Sequence, residues 1–286
     1  MSVTPQREPL LPRLQIDSLR KAIKRGERLD GRGPLDYRPI SVVLNPLDKA
    51  DGSALIRLGE TQVMAGIKLE LGEPFEDRPN EGVLQVHAEF VPLASPSFEP
   101  GPPDENAIEV ARVVDRTLRE PRVIKLEELA IEPGRLVWVV YDDIYLLDHF
   151  GNIMDASMLA SMLALSVAGV PNISRDEAGV YKIDRQNKAR QLPINLLATS
   201  ITLGVVDDVV IVDPSLDEEA VVETFITIGV DEKERIVGMQ KRGGDIPLSL
   251  LDSVVDIAVK KGAEIIGYMK KILNSPQEYM KPLDFE

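Results

Sequence analysis

Residues 98–120, FEPGPPDENAIEVARVVDRTLRE, constrain the fold of this chain more than any other stretch. Pro100, Pro102 and Pro103 fix φ and push the residues before them into extended geometry, so the first third is a loop. A helix follows. Asp104 is a good N-cap, and Glu105 and Glu109 place negative charge near the positive end of the helix dipole. Ala107, Val110, Ala111, Val113, Val114 and Leu118 then fall on one arc that should face a core. Arg112, Arg116 and Arg119 stand at i, i+4 and i+7, on a narrow stripe opposite that arc. Three guanidiniums on one face can grip a polyanion. Equally, Glu109 with Arg112 and Asp115 with Arg119 are ordinary helix-surface pairs, and the stripe then reads as a solvated face.

The remaining composition narrows the classes open to the chain. Its 286 residues, 44% of them hydrophobic, suffice for one large domain or two moderate ones with a true core. The absence of cysteine excludes disulfides, thiolate zinc sites and cysteine nucleophiles, and fits an intracellular protein. No apolar run approaches the ~20 residues that span a bilayer, and the opening MSVTPQREPLLPRLQ lacks a signal-peptide core. The expected location is the cytoplasm, with no membrane partner. A net charge of −14 counts against a general nucleic-acid binder, so any RNA contact must be local. The arginine stripe is one such place. Residues 7–28, with seven basic and three acidic side chains, are the other, and read as a solvated helix face.

Along the chain, residues 1–14 hold three prolines and no period, and read as an arm. Asp17 or Ser18 should cap a short helix that buries Leu19, Ala22 and Ile23 and ends at Gly26. Residues 37–47, 52–58, 62–71 and 83–91 read as antiparallel strands separated by turn dipeptides. Residues 136–147 form a further strand in which Trp138 is a packing residue, and residues 153–168 a helix apolar nearly all round. After Gly179 the pattern restarts, with a strand at 180–183 and a polar connection, DRQNKARQ, at 184–191. Strands follow at 194–206, 209–212, 222–229 and 235–240, with Asp207–Asp208 as a hairpin turn, and a long helix closes the chain at about 248–273. Both halves run strands and then helices, which predicts an α+β fold with helices covering sheets. The expected division is residues 1–30 as arm and short helix, 31–178 as the first half and 179–286 as the second.

The run PLASPSFEPGPPDENAIEVARVVDRTLRE at 92–120 closely resembles the non-catalytic ring subunits of the archaeal exosome, in the RNase PH family. RLDGRG at 28–33, ADGSALIRLGETQVMAG at 50–66 and VDPSLDEE at 212–219 match as well, so the resemblance covers nearly the whole chain. It implies a pseudo-duplicated βαβα fold and a hexameric ring of three heterodimers in which the chain alternates with a catalytic RNase PH-like subunit. It also implies RNA-binding cap subunits on one face, and single-stranded RNA degraded 3′ to 5′ by phosphorolysis.

Departures from the family's active chains set the expected role. A phosphorolytic nuclease must hold inorganic phosphate, and helix N-termini with arginines are the usual means. Active chains begin the helix of residues 104–120 with GPSRR; here GPPDE reverses the charge. Their second phosphate loop, DGGTR or AGSR, has no counterpart in YLLDHFGNIMDAS. Their two aspartates six residues apart correspond to Asp213 and Glu219, one match and one conservative change. The resemblance therefore implies no catalytic residue, no cofactor and no metal, with Arg112, Arg116 and Arg119 binding RNA beside the partner's active site. Two other readings stay open: an active phosphate-dependent exoribonuclease using Asp213 and Glu219, and a purely architectural ring subunit. His87 with Glu89 lacks a third metal ligand, and Asp142 and Asp143, adjacent on a strand, should point to opposite faces.

Overall fold

The structure, a computed structural model, describes residues 12–280 apart from residue 178. Residues 1–11 of the expected arm lie outside that range. The arm's last residues are already helical, because α1 spans Arg13–Lys24 and starts a turn before Asp17 and Ser18. Pro12 stands at its N-cap, and Ser18 Oγ donates to the Leu14 carbonyl from within the helix instead of capping it. Leu19 and Ile23 are buried as expected, and Gly26, with φ of 76°, ends the turn that follows.

The first sheet is built from β1 (Ile40–Leu44), β2 (Gly52–Leu58), β3 (Thr61–Gly72), β4 (Val83–Phe90), β5 (Ala130–Glu132) and β6 (Leu136–Asp148). Its order is β1-β2-β3-β6-β4, with β5 paired to the start of β6. One strand breaks the expected antiparallel pattern: β4 runs parallel to β6, with Val83 opposite Val139. Parallel neighbours need a long crossover, and the chain supplies one through α2 (Glu105–Arg119). The arginine-bearing helix is thus the connection that makes β4 parallel.

α3 (Ile153–Val167) is buried along nearly its whole length and packs on β2, β3 and β6 on one side and on β9 (Ala198–Val206) on the other. Its close seat depends on Gly52, where a Cβ would come within 2.6 Å of the Ala164 carbonyl. The second sheet has the order β10-β9-β11-β12, with β10 at Val209–Val212, β11 at Thr224–Asp231 and β12 at Ile236–Gly243. Asp207, with φ of 47°, makes the β9–β10 turn that the Asp-Asp pair suggested. α4 (Leu216–Glu219) is a single turn, and α5 (Leu248–Asn274) lies across β9 and β11.

A hairpin of β7 (Gly169–Arg175) and β8 (Tyr181–Gln191) links the halves. Residues 184–191, expected as a connection, are strand. Their polar side chains find partners instead of a core: Arg185 Nη1 donates to Asp51 Oδ2 at 2.9 Å, Lys188 Nζ to the Asp51 carbonyl at 2.9 Å, and Arg190 Nη1 to Glu128 Oε2 at 3.4 Å. Such a strand carries no apolar alternation to read. The boundary expected at 178/179 falls in the turn of this hairpin.

Two buried polar features stand out against the apolar core. Asp142 and Asp143 point to opposite faces of β6 as expected: Asp143 is half-buried opposite His87, and Asp142 is 0% exposed. Among the described residues neither Asp142 oxygen has a partner at good hydrogen-bond geometry, nor do the Ser157 and Ser161 hydroxyls of α3, although Ser161 lies near enough to act on Asp142. Burial pushes the Asp142 carboxyl from 3.8 up to about 7, with the nearby Ser161 hydroxyl offsetting part of the shift.

The second feature is an ion-pair clamp joining distant segments. Arg38 grips Asp213 with both edges, Nε to Oδ2 at 2.9 Å and Nη2 to Oδ1 at 2.7 Å. Arg32 Nη1 and Asn152 Nδ2 complete the shell of the same carboxylate at 2.9 and 2.8 Å. Beside it Arg28 Nε donates to Glu218 Oε1 at 2.8 Å, while its Nη1 and Nη2 reach the carbonyls of Val212 and Asp213. Asp213 is 0% and Glu218 2% exposed, so these charges depend on one another.

Asp213→Asn should leave Arg38 buried without its counter-charge and cost about 3–5 kcal/mol, read as a lower urea midpoint at unchanged slope. Asp142→Asn should act in the opposite direction and depend on pH. The folded Asp142 pKa lies above the unfolded one, so the stability it contributes is full below about pH 4 and is lost as pH rises through about 7. The variant should therefore exceed the parent by a few kcal/mol near ~pH 8 and match it near ~pH 4, by denaturant titration.

Candidate nucleic-acid interface and the adjoining cleft

The sequence of α2 accounts for its position. Asp104 Oδ1 accepts from the Ala107 amide at 2.8 Å, the predicted cap, and Ala107, Val110, Val114 and Leu118 are buried against β4, α3 and β9. Thr117 is buried with them, while Ala111 and Val113 flank the seam half-exposed. The Thr117 hydroxyl donates to the Val113 carbonyl, so this polar residue enters the core already satisfied.

The three arginines do not behave alike. Arg112 and Arg116 are exposed, and neither makes a side-chain hydrogen bond or ion pair among the described residues. Arg119 is held: Nη2 lies 2.5 Å from Asp115 Oδ1 and donates to the Leu84 carbonyl at 2.9 Å, which ties the end of α2 to β4. The other expected surface pair is absent. Glu109 turns from Arg112 and accepts from Gln240 Nε2 on β12 at 3.0 Å. Arg122 has left the helix, with φ of 57°, and its carbonyl accepts from Asn195. The stripe thus offers an anion two exposed guanidiniums without a partner among the described residues and one already neutralised.

A cleft of about 430 Å³ opens beside the first turn of α2. Phe90, Phe98 and His149 form one part of its wall, and Phe225, Gln240 and Arg242 of the second sheet another. The two helix starts beside it carry negative charge from the chain itself. Asp104 occupies the Ala107 amide, and Glu219 Oε1 accepts from the Asn152 amide at 2.7 Å at the head of α3. At each helix start one backbone N–H is therefore already bonded to a carboxylate, which sets negative charge where phosphate would have to sit.

Asp213 and Glu219 diverge. Glu219 lines the cleft, whereas Asp213 is enclosed by the arginine clamp, and using it as an acid or ligand would break that clamp. Among the described residues no group of three or more His, Asp or Glu side chains could hold a metal ion. No helix among them is long and apolar enough to cross a membrane. Sequence reading gave no role to Arg28, Arg32, Arg38 or Glu218. The only available signal was that an arginine-rich turn and an acidic turn occur in one chain, with no spacing rule to pair them.

The 3′ exoribonuclease family (RNase PH) matches in both its parts, domain 1 over residues 36–171 and domain 2 over residues 197–261. Exosome complex component Rrp42 of Methanopyrus kandleri is 48% identical over 259 residues, 90% of this chain and 96% of that protein. The protein of the same description from Aeropyrum pernix is 47% identical over 85% of this chain and 88% of its own length. Among solved structures, a chain of the Archaeoglobus fulgidus exosome with RNA bound to the active site superposes with a TM-score of 0.81. It is 41% identical, and the match covers 90% of this chain and 98% of that one. With both family domains matched and relatives alike along almost their whole length, this chain belongs to the RNase PH family of 3′ exoribonucleases.

Proposed function

We propose that this chain is a catalytically silent subunit of an exosome ring, where it holds single-stranded RNA for 3′ to 5′ phosphorolysis by a catalytic RNase PH-like partner. The observation that carries this reading is the charge arrangement of α2: unpaired Arg112 and Arg116 on its flank, and a carboxylate on the amide at its head. Guanidiniums stay charged at any working pH and bind phosphate bidentately, so they can hold a strand without selecting a base. Arg119, tied to Asp115 and Leu84, contributes less to RNA and more to fixing the helix.

The relatives' names support membership of an exosome, and the Archaeoglobus fulgidus complex supports RNA as its substrate. The assembly we infer is a hexameric ring of three heterodimers, with RNA-binding cap subunits, in the cytoplasm. Within it, residues 31–178 and 179–286 act as the two family-like halves. The role of Asp213 in the clamp weighs against the active-exonuclease alternative, and the Asp115–Arg119 pair is the one observation favouring a purely architectural subunit.

In a ring reconstituted with the catalytic partner, Arg112→Glu with Arg116→Glu should weaken single-stranded RNA binding. The slope of log K against log salt should fall by roughly 1.4, two contacts at ~0.7 each. An unchanged slope would leave only the architectural role. The purified chain alone, given single-stranded RNA and phosphate, should release no nucleoside diphosphate; release would restore the active reading.

A further inference from the structure

Asp142 is a buried titratable group with no part in the clamp, the stripe or the cleft. It sits on the core face of β6, between Ile67 of β3 and Val86 of β4, with α3 above it. The Ser157 and Ser161 hydroxyls of α3, 1% and 0% exposed, share its lack of a well-placed partner. Buried polar groups are normally bonded, so three together mark an arrangement held against a cost. The charges that act on it are both negative: Asp115 from α2, and Asp143 from the opposite face of its own strand. Asp155, the one charged residue of α3, is engaged elsewhere and accepts from Tyr37, Asn152, Ser200 and Thr202. Lys68 and Glu70 of β3, and His87 and Glu89 of β4, lie on the other face of the sheet. No cation among these groups neutralises Asp142, and burial keeps its proton on to about pH 7.

Once that proton leaves, the charge must be relieved by movement, and the elements around it differ in how readily they yield. α3 is enclosed between the first sheet and β9, and its head is fixed where Asn152 donates to Asp213. α2 has one face in solvent, and its last turn is tied to β4 only through Asp115, Arg119 and the Leu84 carbonyl. Asp115 is thus both a like charge facing Asp142 and a member of the tie that seats the helix. The element with the least enclosure opens first. We propose that Asp142 is a proton-dependent latch for α2: with its carboxyl neutral the helix seats against β4, and loss of the proton loosens that seat. The hold of Arg112 and Arg116 on a strand loosens with it, a consequence that rests on the RNA-holding reading, whereas the seating itself does not. Guanidinium and phosphodiester keep their charges throughout this range, so any pH dependence of that hold comes from the position of the helix.

Hydrogen exchange on the full chain, corrected for the intrinsic pH dependence of exchange, reads the seat. Protection of the α2 amides should fall about fivefold between about pH 7 and about pH 8 in the parent and stay level in Asp142→Asn, while α3 holds in both. Ser161→Ala removes a hydroxyl that favours the ionised carboxyl, so the loss of protection should move to higher pH, a shift that a purely structural role would not produce. In a ring reconstituted with the catalytic partner, RNA affinity should fall by a similar factor over the same range for the parent, and by less for Asp142→Asn. Parent and Asp142→Asn alike at both pH values, protection lost evenly across α3 and the first sheet, or an unmoved transition in Ser161→Ala would overturn the latch. RNA affinity that stays level while the α2 amides respond would sustain the latch and overturn the RNA-holding reading instead. Should Asp142→Asn fail to fold, Asp142→Val, which has no proton to lose, takes its place in each comparison.

Discussion

The fold depends first on the encounter of Arg38 and Asp213. The two residues are far apart in sequence, both are almost wholly buried, and each is the reason the other can be. Through Arg32 and Asn152 the same carboxylate fixes the turn before β1 and the head of α3, and through Arg28 and Glu218 the clamp extends to α4. The segments that shape the cleft are thus positioned by electrostatics, while the sheets and α3 supply the apolar mass. Asp213, which the resemblance led one to expect at an active-site position, is in this chain part of that framework.

That arrangement separates two uses of positive charge. Arg28 and Arg38 are buried and Arg32 largely so, and all three are paired; Arg112 and Arg116 are exposed and have no partner among the described residues. Paired guanidiniums contribute to shape, while unpaired ones on a chain with net charge −14 form a local exception that a polyanion can find. The negative groups at the heads of α2 and α3 sharpen the contrast, because they sit where the backbone would otherwise attract anions.

Much of this was legible in the sequence where local rules govern. Asp104 caps α2, the Asp-Asp pair turns β9 into β10, and α3 is apolar all round because protein surrounds it. What was not legible depends on distant partners. β4 reads as any strand, and its parallel pairing is decided by the crossover that follows. Residues 184–191 of β8 are polar because Asp51 and Glu128 receive their side chains, so they carry no apolar alternation. Arg119 looks equivalent to Arg112 and Arg116 until the Leu84 carbonyl comes into reach. The Asp213 clamp has no local signature at all, since its members lie on turns whose proximity only the folded chain creates.

The burial of α3 has a consequence for synthesis. Ile153–Val167 emerges from the ribosome with the first sheet ready on one flank, but β9, which covers the other, is encoded some thirty residues later. Until that strand arrives, a greasy rod of two dozen ångströms or so stands open to other nascent chains. A message broken in that interval would yield a sticky fragment, so integrity of the transcript matters to the very machinery that this family serves.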